Sequence, residues 1–153
     1  MVFANLDEIV VHVNATTLAA LHARVAPIPH AHSTPQDAIA ELAHSYLEFA
    51  EQQTNLWRCI FEHRLPSGTP VPIWFLERVG RMFDVVAQPI AQLRPDLANR
   101  ELRTAARAFW SAVHGVCILG LDGKLDLADR IPITEVLTTL VHIYVAGLPH
   151  LSK

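Results

Sequence analysis

Apolar residues recur at the three- and four-residue spacing of an α-helix along nearly the whole chain, and no stretch shows sustained alternation with a period of two. A strand that is buried on one face requires that alternation, so the pattern predicts an all-α fold. A chain of 153 residues is long enough to bury the core of one domain. We therefore predict a single helical bundle of about six helices that occupies residues 1–153.

Capping residues and prolines divide the apolar pattern into these helices. Asn5 with Glu8 three residues later is typical of a helix start, and Thr34 followed by Pro35 is typical of another. The segment 65–72 contains three prolines and a glycine, so it should be a loop. Pro89 should kink the fourth helix because proline lacks the amide hydrogen-bond donor. The six helices start after residue 5 and at residue 34, span about 55–63 and 73–93, and include the segments 109–121 and 136–148.

The first two helices each show one side that should face the core. Apolar residues that follow one another at helical spacing form a stripe, and that stripe packs against the rest of the bundle. In the first helix the stripe is formed by Leu6, Ile9, Val10, Val13, Thr17, Ala20 and Leu21, and in the second by Ile39, Leu42, Ala43, Tyr46, Phe49 and Ala50.

The last two helices are apolar around most of their circumference, which predicts that they are buried on more than one side. The composition agrees, because 51% of the residues are apolar, only 18% are charged and the mean hydropathy is +0.25. Four other helices can cover one flank, so we expect the other flank to meet a second copy of the chain in a symmetric four-helix interface. The residues predicted to form this interface are Ala112, Gly115, Ile118, Leu140, Ile143, Tyr144 and Gly147.

The sequence predicts a cytoplasmic protein without a membrane helix. The longest apolar stretch, residues 109–121, contains Ser111 and His114 and is shorter than the roughly 18 residues that a membrane span requires. The first residues show neither the basic segment nor the cleavage site of a secretory signal. Cys59 and Cys117 lie in apolar helical segments without CxxC spacing, so we expect two reduced thiols with a structural role.

Neither a nucleic-acid surface nor a metal site is predicted from the charged residues and histidines. The net charge is -3, and the one aligned basic set, at positions 100, 103 and 107, is typical of a solvated helix face. His30 and His32 lie in a proline-flanked loop without a cysteine or carboxylate at ligand spacing, and we expect them to be exposed. No metal or other cofactor is therefore expected.

Catalysis is not predicted either. Ser111 and His114 are three residues apart on a helix, but no third residue is placed to orient the histidine. The carboxylates fall mainly at helix starts and exposed positions, where they stabilise helix ends instead of facing a cleft in pairs. The expectation is that the chain is not an enzyme.

One motif carries a resemblance to a known family. The segment from Trp110 to Gly115, with His114 between them, resembles the Trp-x-x-x-His-Gly signature of a class of TetR-family C-terminal domains that is named for these three residues. Residues 6–10, just after Phe3, are similar to the start of the helix that leaves the helix-turn-helix domain in that family. Residues 55–61 are similar to the short central helix of the class, with Leu56 in place of a frequent proline.

The resemblance implies the sensing part of a transcription regulator. Members of the family are dimeric repressors whose C-terminal domain binds a small effector and whose N-terminal three-helix domain binds an operator. The helices of that DNA-binding domain are not found in this chain, so we expect contact with DNA only through a helix-turn-helix domain that these 153 residues do not contain. Two other readings stay open: a dimerisation module that pairs with a full-length partner, and a small helical carrier or enzyme.

The resemblance also directs attention to a set of residues for a small hydrophobic effector. Such sites are mostly apolar with a few polar groups. His114 offers either a polar handle for the effector or a hydrogen bond that packs its helix against a neighbour, and the second reading is favoured. The side chains predicted to line the site are Tyr46, Phe49, Trp57, Phe61, Trp74, Met82, Phe83, Trp110 and Cys117.

Overall fold

The computed structural model describes residues 5–125 and 130–151, and every regular element in these two ranges is helical. This confirms the all-α fold class. A four-residue helix and a closing 3₁₀ turn were not predicted, and Phe3 lies outside the described residues. The elements are α1 (Leu6–Val25), α2 (Ile28–Ala31), α3 (Pro35–Gln52), α4 (Thr54–Glu62), α5 (Ile73–Leu93), α6 (Asn99–Leu121), α7 (Ile133–Gly147) and the 3₁₀ turn Leu148–His150.

The helix ends follow the capping signals of the sequence. The Asn5 side chain accepts a hydrogen bond from the Glu8 amide at 2.9 Å and caps α1. The Thr34 hydroxyl accepts from the Asp37 amide at 3.1 Å and caps α3. Helix α5 has the predicted bounds and contains Pro89, and the segment between α4 and α5 is free of regular structure, as predicted.

Helix α3 is the centre of the bundle, because it contacts every other α-helix. Half of its residues are buried, and they include the whole predicted apolar stripe. Its neighbours α5 and α6 pack against each other on one side of it, whereas α1 and α4 lie on another side. The aromatic residues of α3 therefore reach side chains from several helices at once.

The buried face of α1 differs from the prediction. Leu6 is 72% exposed, and Ile9, Val13 and Ala20 are also exposed, whereas Thr17 and Leu21 are buried as predicted. The reason is that α1 carries apolar residues on nearly all sides, so its own sequence does not select a face. Contacts with α3, α4 and α5 make that selection. The residues that α1 buries are Val11, Asn14, Ala15, Thr17, Leu18, Leu21 and Val25.

Two segments are long and apolar enough, by length and composition alone, to cross a membrane. They are residues 6–31 and helix α6. Each is partly buried in the bundle, and core helices of soluble proteins pass the same test. The absence of a membrane helix stays a prediction.

Helices α6 and α7 pack closely at their connected ends, and Gly120 permits this. A Cβ atom at position 120 would overlap with Cδ1 of Ile133 and would lie 2.6 Å from its Cγ1, which is well inside van der Waals contact. Helix α7 also packs on α3, so it has little freedom to move away. The close approach is therefore built on the absence of a side chain at Gly120.

We predict that Gly120→Ala lowers the free energy of unfolding by about 1–2 kcal/mol, because Ile133 must leave its position in a packed interface. Gly80→Ala in α5 is the matched control, since nothing lies within 4 Å of its added Cβ. There the change should stabilise by about 0.5–1 kcal/mol through helix propensity. Urea denaturation of both variants measures the difference. Equal effects of the two substitutions would contradict the packing described for Gly120.

Candidate functional site

A chain of hydrogen bonds centred on Tyr46 joins three helices in the core. The indole N–H of Trp57, on α4, donates to the Tyr46 hydroxyl at 2.9 Å. The same hydroxyl lies 2.8 Å from Nδ1 of His114, on α6. Among the described residues the Tyr46 hydroxyl meets these two partners, so its own proton finds an acceptor when it points at Nδ1, which favours the neutral histidine tautomer with its proton on Nε2. The ring of His114 thus takes part in packing between helices, the reading that the sequence favoured.

Burial keeps this array uncharged. Desolvation lowers the pKa of His114 below its usual 6.5 and raises the pKa of the Tyr46 phenol well above its usual range. It also raises the pKa of the Cys117 thiol to about 12, so the thiol stays protonated at neutral pH. A protonated buried thiol is a poor nucleophile. The array and the neighbouring thiol therefore stay uncharged, which suits a role in packing the core.

Aromatic rings surround the hydrogen-bonded array. The Trp110 ring centroid lies 4.4 Å from that of Tyr46, and the Phe61 ring lies 4.1 Å from that of His114. Phe83 meets Trp110 edge-on at 6.0 Å, and Arg107 lies over the outer face of Phe83. Five of the nine predicted effector residues thus meet in one cluster: Tyr46, Trp57, Phe61, Phe83 and Trp110.

The cluster is closed in this structure. The cavity between Tyr46, Trp110 and neighbouring residues of α1, α3, α5 and α6 has a volume of about 10 Å³. Small-molecule sites typically enclose roughly 300–1,000 Å³. Phe49, Met82 and Cys117 are likewise buried in the core. An effector among these residues would require the core to open.

Trp74 lies apart from the other eight residues. Its ring lies 5.1 Å from that of His12 of α1 in a tilted contact, and it lines a cleft of about 280 Å³ between the start of α1 and the segment 65–72. We refer to this as the Trp74 cleft. The residue therefore belongs to the surface near the start of α1 and not to the aromatic cluster.

A second and larger cleft, of about 460 Å³, adjoins the Trp74 cleft. It is lined by Val11 and Asn14 of α1, Ile60 of α4, Phe75 of α5 and most of the segment 63–71, and we call it the Asn14 cleft. Val11, Leu65, Pro66 and Thr69 line both clefts. Sequence reasoning missed Asn14. The signal in the sequence was a polar residue between the apolar positions of α1. In the structure this residue is only 4% exposed.

The seven predicted interface residues all lie on partly or fully exposed parts of α6 and α7. Ile143 is 67% exposed, and a Cβ added at Gly115 or Gly147 would meet no atom within 4 Å. Tyr144 has a role within the chain, because its hydroxyl donates to the Ala105 carbonyl at 2.9 Å and ties α7 to α6. The described contacts place α3 and α5 against α6 and place α3 against α7, while the seven positions stay partly or fully exposed.

Comparison with known proteins gives the family. Residues 39–144 match the model of a family described as "Tetracyclin repressor-like, C-terminal domain". The chain belongs to this family. TetR-like C-terminal domains are parts of regulators, which are not enzymes, and they generally dimerise and bind small-molecule effectors. The finer assignment to the Trp-His-Gly class is not tested by this match and stays a prediction.

A solved structure supports the same fold. It is described as the structure of a protein with unknown function from Rhodococcus sp. RHA1, and it superposes with a TM-score of 0.76 at 21% sequence identity. The alignment covers 95% of this TetR-like chain and 74% of the Rhodococcus chain. A comparison with curated protein sequences finds no match. At this identity the likeness shows the shared fold alone.

We predict that Tyr46→Phe lowers the free energy of unfolding by about 2 kcal/mol, because the fully buried indole N–H of Trp57 loses its acceptor. Tyr144→Phe is the matched control. It removes a half-buried hydroxyl whose partner is a helix carbonyl, and it should cost less than about 1 kcal/mol. Thermal unfolding of both variants measures the costs. A smaller loss for Tyr46→Phe than for Tyr144→Phe would refute the role given to the array.

Proposed function

We propose that this domain is the effector-sensing and homodimerisation part of a TetR-type transcriptional regulator and that it works in the cytoplasm. The family match over residues 39–144 supports the type of regulator. The observation that carries the dimer proposal is the outer flank of α6 and α7. It is apolar, it is exposed, and it presents small residues where a second helix pair can approach.

The proposed interface is formed by one stripe of residues on α6 and one on α7. On α6 the stripe is narrow, with Ala112 and Gly115 at its centre, while α7 supplies the larger side chains of Leu140 and Ile143. Small residues opposite large ones allow helices to interdigitate across a two-fold axis. A second copy would bury Ile143, which is otherwise an unusually exposed isoleucine. The seven residues predicted from the sequence form the proposed contact.

We further propose that the effector acts on the α1 side of the bundle. The aromatic cluster has room for about 10 Å³, whereas the two clefts beside α1 have about 280 and 460 Å³. Both clefts are lined by residues of α1. In a complete regulator this helix would connect the sensor to a helix-turn-helix domain outside these 153 residues. A ligand that favours one position of α1 would change the fit of paired heads to half-sites about one helical turn apart.

Ile143→Glu tests the dimer. The substitution places a charge where the interface would exclude water, so we expect self-association to weaken about 100-fold, or roughly 3 kcal/mol. Fluorescence-detected sedimentation over a wide concentration range measures the dissociation constant. Circular dichroism should show an unchanged fold, since the side chain is exposed in the single chain.

Leu76→Glu is the control for this experiment. Leu76 is 53% exposed on α5 and lies outside the proposed interface, so the variant should dimerise like the parent protein. A parent protein that sediments as a monomer at all concentrations would overturn the proposed dimer. Equal weakening by both substitutions would place the interface elsewhere.

A further inference from the structure

The Asn14 side chain is held in one orientation in the wall of the Asn14 cleft. Its amide nitrogen donates to the Cys59 carbonyl of α4 at 3.1 Å. Because the nitrogen must face that carbonyl, the amide cannot be turned over without placing two oxygens against each other. The carboxamide oxygen, Oδ1, therefore has a fixed direction set by the contact between α1 and α4.

This oxygen has no hydrogen-bond partner among the described residues. It is shielded from solvent, and Asn14 as a whole is 4% exposed. Buried polar atoms without a partner are rare, because such an atom gives up its hydrogen bonds to water without replacement. The other buried polar side chain of α1, Thr17, does find a partner in the Val13 carbonyl at 2.9 Å. Oδ1 is thus an unpaired hydrogen-bond acceptor on a residue that lines the cleft.

The rest of the cleft defines what kind of donor fits. Val11, Ile60 and Phe75 supply apolar walls from three helices. His63 and Arg64 also line the cleft, and Nε2 of His63, which is buried without a hydrogen bond among the described residues, lies 3.4 Å from the Asp7 carboxylate. A volume of about 460 Å³ accepts a small ring compound.

The remaining wall of the Asn14 cleft is the connection between α4 and α5. It contains no helix, and Thr69 donates to the Pro66 carbonyl at 3.0 Å to close a turn in which Gly68 has a φ of +84°. Because Oδ1 is shielded from solvent, a bound molecule reaches it only if part of the wall moves, and we expect this segment to be the part that does. The same segment also lines the Trp74 cleft, so a shift of the segment would change its contacts with the start of α1.

We infer that the Asn14 cleft binds a compact, neutral and mainly apolar molecule through one N–H or O–H group that donates to Oδ1 of Asn14. The inference rests on the proposed function, in that this molecule would be the effector class of the sensor. It separates the effector site from the aromatic cluster. Selectivity arises because a molecule without the donor leaves the buried oxygen unpaired.

The test uses indole and 1-methylindole, two probes that differ in the N–H donor. Titration of the ¹⁵N-labelled chain should shift the side-chain amide signals of Asn14 and the backbone amides of Gly68 and Phe75. Indole should bind at least about fivefold more tightly than 1-methylindole. The comparison of probes in the parent protein does not depend on any variant.

Two variants sharpen the result. Asn14→Leu should remove the preference for indole, because the acceptor is gone and the two probes then meet the same apolar wall. Thr17→Val is the matched control, since it replaces another buried polar residue of α1 that does not line the cleft, and it should keep the preference. Loss of the preference in both variants would mean that α1 packing, and not Oδ1, produces it.

Three outcomes overturn the inference. They are equal affinity for both probes, absence of cleft shifts at the solubility limit of indole, and shifts confined to the indole signals of Trp57 and Trp110. Sedimentation of the same samples separates this failure from failure of the proposed function. A dimer with an unresponsive cleft removes only the inference, whereas a monomer removes the proposed dimerising sensor.

Discussion

The hydrogen-bonded array of Trp57, Tyr46 and His114 is the constraint on which the rest of the structure depends. It joins α4, α3 and α6 in one direction of donation, so that each buried donor has an acceptor. Tyr46 is 1% exposed and Trp57 is fully buried, which excludes water as a ready substitute. The array fixes the relative position of the helices on either side of α3. It thereby sets where α6 presents its outer flank and where α4 leaves a cleft against α1.

Closing the core in this way leaves apolar surface in two other places. One lies on α6 and α7, and the other lies where α1 and α5 begin, with Leu6 and Ile73 more than two thirds exposed. The first surface is the one that we propose to meet a second copy of the chain. The second surface borders both clefts, where we propose that the effector acts. The two proposed contacts thus lie on different parts of the bundle.

The sequence predicts the elements well where the cause is local. Thr34 and Pro35 define the start of α3, and the prolines of segment 65–72 define a loop, because capping bonds and proline geometry act over a few residues. The buried stripe of α3 is also predictable, because the apolar residues of this helix fall along one face. The favoured role of His114 in helix packing agrees with the hydrogen bond between its ring and Tyr46 of α3.

Contacts between distant parts of the chain are less predictable. The face that α1 buries is chosen by three other helices, and the importance of Gly120 depends on Ile133 of another helix, which packs against it. Five of the nine predicted effector residues are buried in this structure, since aromatic and soft side chains suit a packed interior as well as a pocket, and their part in effector binding stays a prediction. Asn14 escaped notice because its oxygen is unusual only once its neighbours are known.

We propose that the outer flank of α6 and α7 meets its own copy, and nuclear Overhauser effects between two copies would detect that contact. A dimer assembled from equal parts of ¹³C-labelled and unlabelled chain reports only contacts that cross the interface. We expect cross-interface contacts among the methyl groups of Ala112, Leu140 and Ile143. Contacts that instead involve Leu6 or Leu76, or the absence of any contact between copies, would contradict it.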